Sequence, residues 1–166
     1  GMEIRAARAD DVDDITAIHN QSIPAGTAEW TESLHTVEGR RRWLADKEAA
    51  GWPVFVAVEG DRVIGTATYG DFRDSSCREG FRFTVEHSVY VDEEFQGRGV
   101  AHALMDVLEE EARSRGLRVM IGAIDAANEG SLAFHARRGY VEVGRLPDVG
   151  HTWDTWRSLV LVQLQL

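Results

Sequence analysis

Residues able to do chemistry gather between positions 86 and 101. Val89-Tyr90-Val91 ends a β-rich segment, a turn of acids and Phe95 follows, and Gln96-Gly97-Arg98-Gly99-Val100-Ala101 then opens an amphipathic helix. A helix N-terminus leaves backbone N–H groups unpaired and carries partial positive charge. Gly97 and Gly99 remove side chains there, so a phosphate can approach the backbone, and Arg98 adds charge at the rim. The pattern points to an anion site suited to a diphosphate, although the same glycines could simply shape a tight turn. Upstream, Glu86 sits mid-strand, where an acid is costly to bury. An apolar cleft would raise its pKa toward the ~6–7 useful to a general base. Downstream, His135 falls in a short helical stretch and can exchange a proton near neutral pH.

Three phosphate ligands compete for the glycine turn. A P-loop is excluded because no Lys-Ser/Thr follows the glycines. The dinucleotide fingerprint wants a third glycine where His102 stands, and a second βαβ unit. Coenzyme A is the third reading. Lys47 is the sole lysine, in a polar helical run, so Schiff-base chemistry is not expected.

The elements that must position these residues can be read in outline. A short strand over 4–6 precedes a helix capped by Asp10, with Val12, Ile15 and Ile18 on one face. A second helix, capped by Ser33 or Thr36, runs to about Ala50 and closes at Gly51. Strands over 53–58 and 63–69 form a hairpin, and a long strand covers 81–91. Alternation puts Thr84, Glu86, Ser88 and Tyr90 on one face of that strand and Val85, His87, Val89 and Val91 on the other. His87 is accordingly read as structural. A helix to Gly116, a strand over 117–124, a helix over 128–138 and strands over 140–144 and 155–162 complete the order. The class is α/β with α+β character: one domain over 1–166, with a mixed sheet between helices.

These motifs resemble a known family. Gln96-x-x-Gly99-x-Ala101 after a strand ending Val-Tyr-Val looks like the acyl-CoA signature of the GNAT acetyltransferases. Asn128-x-x-Ser131-x-x-x-His135-x-x-x-Gly139-Tyr140 resembles their second signature. Thr84-Val85-Glu86-His87-Ser88-Val89-Tyr90-Val91 is similar to the phosphinothricin / methionine sulfoximine N-acetyltransferase branch. The resemblance implies a central sheet with splayed strands and about four flanking helices. It implies acetyl-CoA as cosubstrate, its pantetheine arm held near Val89, Tyr90 and Val91 and its pyrophosphate by Gln96 to Ala101. Asn128 and Ser131 would meet the arm. Glu86 would be the base, and His135, where most members carry tyrosine, a base or acid. A homodimer is also implied.

An amino-acid acceptor needs a cation for its carboxylate, and Arg73 and Arg82 are the candidates. Tyr69 and Phe72 could wall its side chain, Thr84 shares the face of Glu86, and Trp30 could cover the pocket. The branch usually carries Gly-His-Lys-Phe-Gly-Arg-Trp-Leu-Asp near its end. This chain reads Gly150-His151-Thr152-Trp153-Asp154-Thr155-Trp156-Arg157-Ser158, which leaves the acceptor's identity open.

Composition sets outer bounds. The chain has 166 residues, 43% of them hydrophobic, and a net charge of −10. That balance argues against general nucleic-acid binding and against an anionic membrane surface. No apolar run reaches membrane-spanning length, and the first residues lack a secretory apolar core. One cysteine, Cys77, excludes an internal disulfide and suits a reducing cytoplasm. Its polar surroundings, with no neighbouring base, argue against an acetyl-cysteine route. No His or Cys spacing suggests a metal. The expected activity is therefore direct N-acetyl transfer to a small amine. Its rivals are a peptide or protein N-terminus as acceptor, or an acyl-CoA-binding sensor without activity.

Overall fold

In the computed structural model, which describes Gly1–Leu166, alternating strands assemble one sheet with helices on both faces. The elements are β1 (Met2–Ala6), α1 (Val12–Gln21), α2 (Val37–Ala50), β2 (Val54–Glu59), β3 (Arg62–Asp71) and β4 (Thr84–Val91), then α3 (Val100–Ser114), β5 (Val119–Asp125), α4 (Glu129–Arg137), β6 (Val141–Thr152) and β7 (Thr155–Gln165). The seven strands lie in the order β1-β2-β3-β4-β5-β7-β6. Every neighbouring pair is antiparallel except β4 and β5, which α3 connects as a crossover.

Side-chain alternation decides what each face receives. Ile15 and Ile18 of α1 pack on Val56 and Val63, and Leu44 of α2 meets Val12 and Val54. The opposite face buries Leu104, Met105, Leu108 and Ala112 of α3 against Ala57, Ala67, Tyr69, Val85 and Met120. Gly65 lets α3 approach, because a Cβ there would stand 2.9 Å from Leu104 Cδ1 and 3.0 Å from Val100 Cγ1.

The feature that makes a site is the parting of β4 from β5. They pair over Thr84–Glu86 and Val119–Ile121 alone. Beyond that, β4 stays with β3 as far as Val91 opposite Gly65, and β5 stays with β7 as far as Asp125 opposite Leu159. The sheet therefore forks immediately after Glu86, and its two inner edges carry backbone groups without a strand partner.

Local details differ from the sequence reading where chain context intervenes. Asp11, not Asp10, anchors the start of the first helical segment. Its carboxylate accepts from Arg8 N at 2.8 Å and from both terminal nitrogens of Arg5 at 2.7 and 2.8 Å. The strand expected from Phe81 begins at Thr84, because Glu79–Phe81 form a short 3-10 turn. The strand expected to stop at Gly144 continues to Thr152. One register shift, between Glu142 and Gly144, takes up Val143, a second, between Leu146 and Gly150, takes up Pro147, Asp148 and Val149, and Trp153-Asp154, with φ of 52° and 58°, close a two-residue hairpin.

Candidate active site

The fork opens into a cavity of about 380 Å³. Val89, Tyr90, Val91 and Gln96 line one side, Gly122 to Asp125 the other, and Asn128, Ser131 and His135 the base. Ala25, Thr27 and Ala28, between α1 and α2, also line it. That loop is tied down twice. Trp30 Nε1 donates to Asp125 Oδ2 at 2.9 Å, and Trp153 Nε1 donates to Ile23 O at 3.0 Å. Trp30 thus pins the loop beside the cavity.

Gly97, Arg98 and Gly99 continue from Gln96 into α3. Gly97 and Gly99 hold φ of 77° and 80°, the left-handed region where glycine is at ease. A Cβ at either would meet nothing within 4 Å, so backbone conformation, not crowding, calls for glycine. Gly99 caps α3 without a side chain, and the first helical bond runs from Ala103 N to Gly99 O at 3.0 Å. The amides of Val100, Ala101 and His102 are left free of intrahelical acceptors.

Glu86 stands at the fork itself, half-buried, facing α1 and α2. Burial alone pushes its carboxyl above the ordinary glutamate value. It lines a second cavity, of about 350 Å³, with His19, Glu29, Arg40, Trp43, Lys47, Thr68, Gly70, Asp71 and Tyr90. Ser88, His87 and Tyr90 border both cavities, so the two meet along β4.

His135 occupies the other face. Its Nδ1 lies 2.7 Å from Ser131 O and must donate to it, because a carbonyl only accepts. A neutral ring then has its lone pair on Nε2, which lies 3.1 Å from His87 Nε2. His87 must supply that proton, which leaves its own Nδ1 a buried lone pair without a donor. Burial holds both rings below the usual histidine pKa, His87 at about 3, so the pair is neutral at pH 7.

Several expectations need correction. Glu86 lines the second cavity and His135 the first. Tyr69 walls no acceptor, because its register opposite His87 turns it toward α3, where it is fully buried and donates to Glu111 Oε1 at 2.6 Å. Arg73 and Arg82 line neither cavity. Arg73 stacks 5.6 Å from Phe81, and Arg82 donates to Glu79 O at 2.7 Å and covers Phe83. Phe72 packs on Phe81, and Thr84 also lies outside both cavities. Asn128 borders the fork, and its Oδ1 also accepts from Ser131 N at 3.2 Å to cap α4. Sequence patterning does not single out Arg40, Lys47 and Glu29 as site residues. The one local hint is the seven-residue spacing of Arg40 and Lys47, two turns along one helix face.

The family model described as Acetyltransferase (GNAT) family matches residues 15–140. The chain belongs to the GNAT acetyltransferases. This GNAT chain is 39% identical to the L-methionine sulfoximine/L-methionine sulfone acetyltransferase of Pseudomonas aeruginosa, over 98% of its own length and 94% of the relative's. It is 38% identical to the L-amino acid N-acyltransferase MnaT of Escherichia coli, over 99% and 94% of the two chains. Among solved structures, the acetyltransferase yncA of Salmonella typhimurium with acetyl-CoA superimposes with a TM-score of 0.92 at 36% identity, covering 99% and 94% of the chains. The protein is thus an N-acetyltransferase that uses acetyl-CoA. Its own residues fit that cosubstrate: an extended arm can lie in the fork against the unpaired edges of β4 and β5, and the amides opening α3 suit a pyrophosphate. When bound, the cosubstrate supplies an activated acetyl thioester.

Proposed function

We propose that this enzyme acetylates the α-amine of a small free amino acid by direct transfer, with Glu86 as general base. The observation that carries the reading is the place of Glu86: a half-buried carboxyl of raised pKa where β4 and β5 part, in a cavity that borders the fork. A free α-amine has a pKa of ~7.7–8.0 and is largely protonated at neutral pH. Glu86 removes that proton and leaves a lone pair to attack the thioester carbonyl; the C–N bond forms, the C–S bond breaks, and CoA departs as a thiolate that takes up the nitrogen's second proton. A backbone N–H on the β4 edge stabilises the developing negative charge on oxygen. Binding of the arm is assigned to Val89, Tyr90, Val91, Asn128 and Ser131, and of the pyrophosphate to Gln96 through Ala101.

His135 is assigned a positioning role. Its Nε2 lone pair is engaged by His87 and its Nδ1–H by Ser131, so neither nitrogen is free to move the amine's proton. The names of the 39% and 38% identical relatives support an amino-acid acceptor. We place the enzyme in the cytoplasm as a homodimer. The exposed Val141, Val143, Val149 and Trp156 on the last hairpin are consistent with self-association.

Thiol release from acetyl-CoA, followed against a panel of free amino acids, their carboxamides and short peptides, tests the reading. Turnover with free amino acids and not with peptides is expected. Preference for peptides would favour the N-terminus rival, and tight CoA binding without thiol release would favour a sensor.

A further inference from the structure

Lys47 is the chain's only lysine, and it lies in the cavity beside Glu86. Its Nζ reaches over from α2 to donate to Tyr69 O at 2.9 Å, although the carboxylates of Glu29, Asp71 and Glu86 line the same cavity. Two of those carboxylates have other partners: Glu29 Oε1 is 2.7 Å from His35 Nε2, and Asp71 Oδ2 accepts from Ser75 N at 2.7 Å. A Cβ on Gly70 would stand 3.1 Å from Nζ, and Gly70 pairs across the sheet with Glu86. Paired residues of an antiparallel ladder point to one face, so the amine and the base share a side of the sheet.

The fold thus sets a primary amine of its own beside the base, in a cavity that meets the fork along Ser88 and Tyr90. Neighbouring strands lie about 4.8 Å apart, so from above Gly70 on β3 the nitrogen has one strand, β4, to cross before it meets a thioester in the fork. The flexible four-carbon stem of lysine spans that by a change of rotamer, at the cost of one hydrogen bond to a carbonyl. Burial also holds the ammonium at about 8, so near neutral pH far more of it carries a free lone pair than an ordinary lysine would. The chain's other primary amine, at Gly1, is exposed ahead of β1, three places along the sheet from β4.

We infer that Lys47 is a self-acetylation site: with no acceptor bound, the enzyme moves acetyl from its own acetyl-CoA to Lys47 Nζ. Glu86 takes one proton from the ammonium, and the freed lone pair attacks the thioester carbonyl. The N–C bond forms, the C–S bond breaks, and the CoA thiolate takes up the nitrogen's second proton, leaving a neutral amide and free CoA. The inference rests on Glu86 as base, from the reading above, and adds an internal amine that competes with the free one. Acetyl-lysine has lost its charge and fills part of a cavity of about 350 Å³, so the modified enzyme is closed to a free amino acid. Bound acceptor, in turn, keeps the lysine away from the fork.

The test incubates the purified protein with acetyl-CoA alone and follows its intact mass. A gain of about 42 Da, one acetyl group, is expected, with the tryptic peptide 43–62 replacing 43–47 and 48–62, because trypsin does not cut at acetyl-lysine. Hydroxylamine, which cleaves a thioester formed on the exposed Cys77, should leave the gain in place. The rate constant should saturate with acetyl-CoA and be independent of protein concentration. Free amino acid should slow the modification, and Glu86→Gln should slow it about 10²–10⁴-fold. On preincubation, the fraction of turnover lost should equal the fraction acetylated, and Lys47→Arg should show neither the gain nor the loss. No mass change, a rate that scales with protein concentration, an acetyl group on Gly1 in place of Lys47, or equal modification of Glu86→Gln would overturn the inference. Acetylation of Lys47 without turnover of any free amino acid would sink the small-acceptor reading and leave self-acetylation standing. Turnover of amino acids with Lys47 unmodified would do the reverse.

Discussion

Glu86→Gln separates chemistry from structure in one substitution. The side chain keeps its shape but can no longer accept a proton from the amine. General-base assistance is worth about 10²–10⁴ in rate, or about 3–5 kcal/mol of barrier. The fold should not suffer. Burial raises the folded pKa of Glu86 above its unfolded value, so the ionised carboxylate opposes folding above the unfolded pKa. A neutral glutamine removes that penalty, and the melting temperature should stay level or rise. Acetyl-CoA affinity should also hold, because the turn from Gln96 to Ala101 is remote from the Glu86 carboxyl in the chain's layout. The assay is thiol release across pH 5–9 alongside thermal unfolding and a CoA titration. In the wild type, kcat/KM should climb with pH through an inflection above the usual glutamate value, and the variant should lose that limb. Unchanged turnover, or a loss of activity matched by a fall in melting temperature, would refute the reasoning.

Other outcomes follow from the same geometry. Gly99→Ala forces a Cβ onto a backbone at φ 80°, a strain of about 1–2 kcal/mol, and should weaken acetyl-CoA binding in titration while leaving kcat at saturation near normal. Glu109→Ala strips the acceptor from Arg138, bound at 2.9 Å, and from the Tyr140 hydroxyl at 3.0 Å. Arg138 keeps Asp106 at 2.7 Å, so its charge stays paired, and the lost hydrogen bonds should cost about 1–3 kcal/mol in urea unfolding. His19 and His87 are both held near 3 in the fold and titrate near 6.5 when unfolded. The unfolded chain therefore binds more protons below pH 6.5, and the urea midpoint should fall progressively as pH drops from 6.5 toward 4.

Much of the site is legible in the order of residues alone. The glycine turn from Gln96 to Ala101 is a local device, and its function depends on backbone dihedrals and a helix start that neighbouring residues dictate. The opposition of Glu86 and His87 across β4 follows from the two-residue period of a strand, and it holds. Yet periodicity by itself sets His87 aside as structural, because its partner His135 lies 48 residues away on α4. Tyr69 escapes for a similar reason: alternation says that it faces away from Thr68, but not which face the acceptor will occupy.

What the sequence alone determined was therefore everything carried within a few residues: the order of elements, the glycine turn that opens a helix, an acid in a strand, and a histidine four residues after a serine. Tertiary structure decided the rest. It parted β4 from β5 just beyond Glu86, set His135 on the far side of the sheet, and swung Lys47 over Gly70, 23 positions later in the chain. Periodicity reports the direction of a side chain relative to its own element. Which elements become neighbours depends on how seven strands and the helices against them bury their apolar faces together, and that is a property of the whole chain.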